Sequence, residues 1–174
     1  MISGIDLAAS PRRPTGIAIG EGERIVYIGE VYGDDEIVYI LKSYSVTLCG
    51  IDAPLTKDEN READKLLRKY RAMSLKVPGI KKLAERGLKL KEKLEKIGIE
   101  VVEVFPTATA KILGIYRKNK IDMLPEIEKF LDVPEGKATE HIIDALLAYY
   151  TAYLYSLGEC EMVGGEIAVP LSKR

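Results

Sequence analysis

The first fifty-two residues run strand, hairpin, helix, strand, and this order constrains the fold more than any other feature of the chain. Residues 2–8 read as a short buried strand, and Ser10-Pro-Arg-Arg-Pro-Thr-Gly16 as a loop rich in turn formers. Residues 16–20 and 24–32 read as two strands joined by Glu21-Gly22-Glu23, a hairpin connection. Asp34-Asp35-Glu36 opens a helix to about Ser43, its acids suited to the positive end of the helix dipole. A fourth strand then ends at Asp52. A hairpin beside strands that are linked by helices implies a mixed sheet with helices covering it.

Pro54 ends that strand and starts a helical excursion. Helices are expected at about 58–73 and 79–97, broken near Val77-Pro78-Gly79. In the second, Ile80, Leu83, Leu90, Leu94 and Ile97 recur at helical spacing while Lys and Glu fill the other face. Residues 99–105 form a fifth strand, stopped by Pro106. Two shorter helices precede a final long one at about 139–157, with Thr139 as its N-cap. Residues 161–170 fit a terminal hairpin around Gly164-Gly165. The whole reads as one domain over 1–174, with a basic helical excursion at about 57–98.

That excursion carries fourteen Lys or Arg against seven Asp or Glu between residues 57 and 96, although the whole chain has a net charge of −1. A basic limb on a nearly neutral protein attracts polyanions locally; the plainer reading is a solvated helix face with Glu–Lys pairs. No apolar run approaches the ~20 residues of a membrane span. The N-terminus lacks a basic stretch followed by an apolar one and a cleavage site. Cys49 and Cys160 make neither a disulfide framework nor a metal-ligand spacing, so the chain reads as cytoplasmic. Glutamine is absent and asparagine occurs only at 60 and 119, a balance that resembles proteins of high-temperature organisms.

Three carboxylates interrupt apolar surroundings where a structural role is hard to find. Asp6 closes Met1-Ile-Ser-Gly-Ile, Asp52 closes Val46-Thr-Leu-Cys-Gly-Ile, and Asp144 breaks His141-Ile-Ile-Asp-Ala-Leu-Leu-Ala148. Buried carboxylates without partners are costly and rare. On a helical wheel Asp144 shares a side with Glu140 and Thr151, and Ala145, Ala148 and Ala152 make a small-side-chain strip that lets the helix approach a sheet closely. If the first and fourth strands are neighbours, the two strand ends and the helix deliver their carboxylates to one place. Such a group needs a cation to stay ionised. Oxygen ligands without a Cys or His cluster favour Mg²⁺ or Mn²⁺ over zinc.

Glu103 is a fourth candidate, on the strand expected beside the one that ends at Asp52; pairing with a lysine at the sheet rim is its alternative. His141, the only histidine, precedes Asp144 by three positions and suits proton transfer or phosphate positioning, or a structural role at the helix start. Arg61, Asp64 and Arg68 share a helical face, where they either ion-pair or contact phosphate. Lys81 and Lys82 join Arg61 and Arg68 as candidates for tracking a nucleic-acid backbone. Tyr149, Tyr150, Tyr153 and Tyr155 occupy several sides of the last helix; core packing is their default and a partner subunit, as in a homodimer, the alternative.

Gly4-Ile-Asp-Leu-Ala8, Pro14-Thr-Gly16, Ile51-Asp-Ala-Pro-Leu55, Arg61-Glu-Ala-Asp64, Glu103-Val-Phe-Pro-Thr107, His141-Ile-Ile-Asp-Ala145 and Gly165-Glu-Ile-Ala-Val-Pro170 resemble, in order, Domain of Unknown Function 429. That family is described as predicted nucleases of RNase H fold. The resemblance implies an α/β, RNase H-like mixed five-stranded sheet flanked by helices, the second strand antiparallel and the first and fourth adjacent. A helical insertion would follow strand 4, and a hairpin would close the chain. It implies acidic site residues on the first strand, the fourth strand and the last helix, places that Asp6, Asp52 and Asp144 match. His141-x-x-Asp144-Ala145 is also similar to the RuvC-type nuclease domains of CRISPR effectors. Holliday-junction resolvases carry an acidic residue where His141 stands and often glutamate where Asp52 stands. RNase H enzymes proper place a glutamate on the first helix, where Asp34-Asp35-Glu36 read as helix-start acids.

The expected activity is metal-dependent hydrolysis of phosphodiester bonds in DNA or RNA. Asp6 would bridge two Mg²⁺ or Mn²⁺ ions ~4 Å apart, with Asp52 and Asp144 completing their shells. Glu103 or His141 would orient water or protonate the leaving group. An actin-like ATPase is a rival, but such proteins need glycine after the strand aspartate to cradle phosphate, and Leu7-Ala8 and Ala53-Pro54 stand there. A module that binds nucleic acid or a protein without cutting is the other.

Overall fold

The computed structural model of the chain describes residues 1–172. Its seven strands form one sheet: β1 (Ile2–Asp6), β2 (Thr15–Glu21), β3 (Arg24–Val31), β4 (Leu48–Asp52), β5 (Glu100–Val104), β6 (Cys160–Val163) and β7 (Ile167–Pro170). The spatial order is β3-β2-β1-β4-β5-β7-β6. β2 runs antiparallel to β1 and β3, whereas β1, β4, β5 and β7 are mutually parallel. The hairpin around residues 21–23 and the adjacency of strands 1 and 4 are as expected. The sheet exceeds the expected five strands because the C-terminal hairpin docks on it: β7 pairs with β5 at Glu103 and Val104, and β6 covers the new edge.

The helices are α1 (Asp34–Ser43), α2 (Glu62–Leu66), α3 (Pro78–Lys96), α4 (Pro106–Ile112), α5 (Leu124–Ile127) and α6 (Glu140–Ser156). The helix expected over 58–73 is shorter. α2 tightens into a 3₁₀ turn at Leu67–Tyr70 and stops at Arg71, which takes a left-handed φ of 73°. α3 runs close to its expected bounds, but its buried face differs. Leu90 and Leu94 are inside as read, together with Ala84, Arg86 and Gly87, while Ile97 is exposed.

One core cluster joins Ile5, Ile17, Ile51 and Leu41 with Leu90 and Leu94. A second packs Ala18, Met123 and Ile127 against Ile143, Leu146 and Tyr149 of α6. α6 therefore covers one face of the sheet while α1 and α3 cover the other. The last helix's tyrosines pack within the chain. Tyr149 is fully buried and donates to the Gly22 carbonyl at 2.7 Å, and Tyr150 stacks on Phe130 with ring centroids 4.4 Å apart.

The closeness of α6 to the sheet depends on two glycines. A Cβ on Gly4 would lie 2.0 Å from the Tyr149 backbone nitrogen and 2.3 Å from the Ala145 carbonyl oxygen. A Cβ on Gly16 would lie 2.1 Å from the carbonyl oxygen of His141. Such distances exclude any side chain, so these strand positions admit the helix backbone itself. The alanine strip reads correctly in the sequence, and the strand glycines are its other half.

Candidate metal centre

Asp6 and Asp52 end two parallel, hydrogen-bonded strands and are direct partners in register, so the sheet alone sets their carboxylates side by side. Asp6 is also the partner of Gly16 on β2, and Gly16 lies against the backbone of His141. That contact fixes the first turn of α6 above the ends of β1 and β2. Thr139 caps the turn, accepting from the Ile142 N–H at 3.2 Å. Asp144, one turn farther on, is 5% exposed. One carboxylate oxygen from each of Asp6, Asp52 and Asp144 lies within 4.8 Å of the others. The three aspartates singled out in the sequence are thus brought together.

Two cationic or protonable groups touch the cluster. His141 Nδ1 lies 2.7 Å from Asp6 Oδ2, so the histidine pairs with Asp6 rather than with its helix neighbour Asp144. Lys120, at the start of a 3₁₀ turn (Lys120–Met123), places its ammonium on Asp144 Oδ2. Lys120 was not among the candidates read from the sequence. It stands between Asn119 and Ile121 in a segment without periodicity, and only the tertiary fold brings it here.

The electrostatics show a group short of positive charge. Asp52 is held well above the usual carboxylate range, first by burial and then by repulsion from Asp6 and Asp144. Burial and then Asp6 push Asp144 up to about 6, against the pull of Lys120. Burial also raises Asp6, opposed by its hydrogen bond with His141. Burial works against the Lys120 ammonium, yet Asp144, Asp6 and Asp52 outweigh it and raise its pKa above the ordinary lysine value. Ionised together, the three carboxylates would outnumber the one ammonium in a desolvated place, which is why their pKa values are raised. Hard oxygen donors in that arrangement fit a divalent cation such as Mg²⁺ or Mn²⁺, and the absence of a thiolate among them disfavours softer metals.

Glu103 is near the centre but differently engaged. It is the register partner of Ile51, and its charge adds to the rise of Asp52. Its two oxygens take a bidentate pair from Arg61, Nη2 to Oε1 at 2.7 Å and Nη1 to Oε2 at 2.8 Å. Oε2 also accepts from the Leu55 N–H at 2.7 Å. Arg61 in turn donates from Nε to Asp64 Oδ1 at 2.8 Å. At 4% exposure Arg61 is therefore an interior clamp between the insertion and β5, and its guanidinium is not offered at the surface for phosphate. Of the two readings left open for Arg61 and Asp64, the structure shows the ion pair. Arg68, Lys81 and Lys82 are exposed, and Lys81 lies 3.3 Å from Glu59.

Arg86 is a second clamp that sequence reasoning missed, since it reads as one more basic residue on α3. Buried to 7% exposure, it donates to the carbonyls of Ala8 at 2.6 Å and Tyr32 at 2.7 Å and to Asp34 Oδ1 at 2.9 Å. It thereby fastens α3 to the chain leaving β1, two residues beyond Asp6.

No protein-family model matches the chain, and no curated protein does. Membership of Domain of Unknown Function 429 is therefore not shown. Solved structures do match. RuvC of T. thermophilus in complex with a Holliday junction substrate superposes with a TM-score of 0.58 at 15% identity, over 98% of this chain and 99% of that one. A second Thermus thermophilus RuvC structure gives 0.55 at 15% identity, with the same coverage. At this identity the likeness speaks for the fold: the chain has a RuvC-like, RNase H-like fold, and its acidic cluster can hold a metal ion.

Proposed function

We propose that the protein is a metal-dependent nuclease acting on phosphodiester bonds of nucleic acid. The observation that carries this reading is the convergence of Asp6, Asp52 and Asp144 to within 4.8 Å in a desolvated, charge-deficient site. The RuvC-like fold agrees with it, one neighbour being bound to a Holliday junction. Asp6, Asp52 and Asp144 would hold Mg²⁺ or Mn²⁺, which when bound supplies positive charge for the phosphate and a more acidic water.

The chain's own groups take the remaining roles. His141, tied through Nδ1 to Asp6, has its ring orientation set and keeps Nε2 to exchange a proton with water or the leaving oxygen. Glu103 acts through Arg61, as a positioning residue that holds the Asp52 strand end against the insertion. Lys120 occupies Asp144 in competition with the metal and, once displaced, offers its ammonium to a bound phosphate. Arg68, Lys81 and Lys82 provide exposed charge for the backbone, so binding weakens steeply with salt.

The test incubates the protein with DNA, RNA, hybrid and branched substrates in Mn²⁺. Cleavage that disappears in Asp6→Asn supports the reading; cleavage that survives the substitution, or none by the parent, refutes it. A second reading, a nucleic-acid-binding module that does not cut, is favoured by the Lys120 ammonium, which already neutralises Asp144. Calorimetric titration with Mn²⁺ separates the two, since the module has no use for the metal.

A further inference from the structure

Asp6 and Asp52 are the last paired residues of β1 and β4, so no ladder holds the chain beyond them. The sheet makes the two aspartates neighbours, but the direction of each carboxylate depends also on how the outgoing backbone is fixed. Both exits rest on the same turn of α3. Arg86 Nη1 donates to the Ala8 carbonyl at 2.6 Å, while Nη2 donates to the Tyr32 carbonyl at 2.7 Å and Nε to Asp34 Oδ1 at 2.9 Å. The next residue, Gly87, lies under the other exit. A Cβ there would stand 3.2 Å from the Ala53 Cβ, 3.3 Å from the Pro54 carbonyl oxygen and 3.1 Å from the Leu55 side chain.

Neither residue is explained by α3 itself. Glycine inside a helix is less favourable than alanine, yet α3 keeps one at its centre. Its other glycine, Gly79, stands in the first turn with open space where a Cβ would be. Arg86 is the one buried charge of α3. Its planar fork serves three fixed acceptors at once, which a lysine ammonium does not match. Both residues are accounted for by what they touch. Arg86 holds the chain two residues past Asp6, and Gly87 lets the helix close on the segment that begins one residue past Asp52.

We infer that Arg86 and Gly87 are positioning residues that set how far apart the Asp6 and Asp52 carboxylates stand, and thereby make the centre select a small divalent cation over Ca²⁺. The inference rests on the metal reading of the site and adds to it a determinant of which ion is held. Neither residue touches the ion. Small divalent ions such as Mg²⁺ need oxygens at about 2.0–2.1 Å in near-ideal geometry, whereas Ca²⁺ takes them at about 2.3–2.6 Å in a flexible shell. A methyl added at Gly87 makes Ala53 and Pro54 give by a few tenths of an ångström, which is the difference between the two classes of ion. That displacement reaches Asp52 through a single peptide bond.

The experiment titrates Mn²⁺ and Ca²⁺ calorimetrically into the full chain, into Gly87→Ala and Arg86→Lys, and into Gly79→Ala as the control on the same helix. Urea unfolding in EDTA is measured beside each. Gly87→Ala should weaken Mn²⁺ binding about tenfold, the scale for disturbing a group behind a ligand, and change Ca²⁺ binding less. Arg86→Lys should move the ratio of the two affinities in the same direction, and Gly79→Ala should leave it alone. A ratio unchanged in a folded variant of either residue, or equal weakening of both ions in step with lost stability, overturns the inference and leaves the metal reading intact. A parent chain that binds neither ion refutes the metal reading instead. The positioning role is then read from amide exchange at Ala8, whose N–H is held by Thr15 Oγ1 at 3.1 Å. Exchange about tenfold or more faster in Arg86→Lys than in Gly79→Ala upholds that role, and equal exchange overturns it.

Discussion

Replacing Arg61 with methionine should be among the most damaging single changes to this protein, and the loss should depend on pH. Arg61 and Glu103 are 4% and 6% exposed and share two hydrogen bonds of 2.7 and 2.8 Å. Arg61→Met fills much of the side chain's volume but leaves Glu103 with only the Leu55 N–H. Breaking a buried pair from one side typically costs about 3–5 kcal/mol, because a charge is stranded. With a urea slope near 2 kcal/mol per molar, that corresponds to a midpoint lower by roughly 1.5–2.5 M.

Glu103 is already raised above the usual glutamate range by burial, with Arg61 holding it back. Without Arg61 it rises further, and the folded state then binds a proton that the unfolded state releases. Stability of the variant therefore falls as pH rises above the ordinary glutamate value of 4.5. Urea unfolding at pH 5 and pH 8 should show a larger penalty at pH 8. Glu103→Gln added to Arg61→Met should recover part of it, since the stranded charge is gone. A loss under about 1 kcal/mol at pH 8, or no recovery in the double variant, would refute the account of this pair.

The remaining predictions concern the metal centre and its scaffold. Asp144 lies at about 6 against an ordinary 3.8, a difference of roughly 3 kcal/mol between its two protonation states. Because its folded pKa is raised, metal-free stability should decline as pH climbs from 3.8 through 6; melting in EDTA should be lower at pH 7.5 than at pH 5, and Mn²⁺ should narrow the gap. Melting that rises toward pH 7.5 in EDTA contradicts this. Lys120→Met removes the ammonium that competes for the cluster and should tighten Mn²⁺ binding about tenfold or more by calorimetry; weaker binding would show that Lys120 helps to build the site. Gly16→Ala forces a Cβ to 2.1 Å from the His141 carbonyl and should cost at least about 3 kcal/mol by urea titration, whereas Gly22→Ala meets no neighbouring atom and should cost less. Thr139→Ala removes the cap of α6 and should cost about 1 kcal/mol.

What could be read in the sequence follows from locality. Asp6, Asp52 and Asp144 stand out because each interrupts an apolar run, and the adjacency of strands 1 and 4 that the resemblance implies makes two of them neighbours. The Thr139 cap and the strip of Ala145, Ala148 and Ala152 are also local signals. What stayed hidden depends on distant pairing. Glu103 and Arg61 are 42 residues apart, and alternation cannot tell a metal ligand from the acceptor of a buried guanidinium. Lys120 and Asp144 are 24 apart and share no element. Arg86 reads as surface charge because nothing near it in sequence says that three acceptors await it across the fold. The C-terminal hairpin was legible, but its docking on β5 was not, since a strand's partner is chosen by the edge left open.

The most direct test of the central claim is anomalous diffraction from a crystal soaked in Mn²⁺. The account predicts a manganese peak among Asp6, Asp52 and Asp144, with carboxylate oxygens at roughly 2.1 Å from the ion and Lys120 withdrawn from Asp144. A crystal with no peak at these residues, its Lys120 still seated on Asp144 at saturating Mn²⁺, would contradict it.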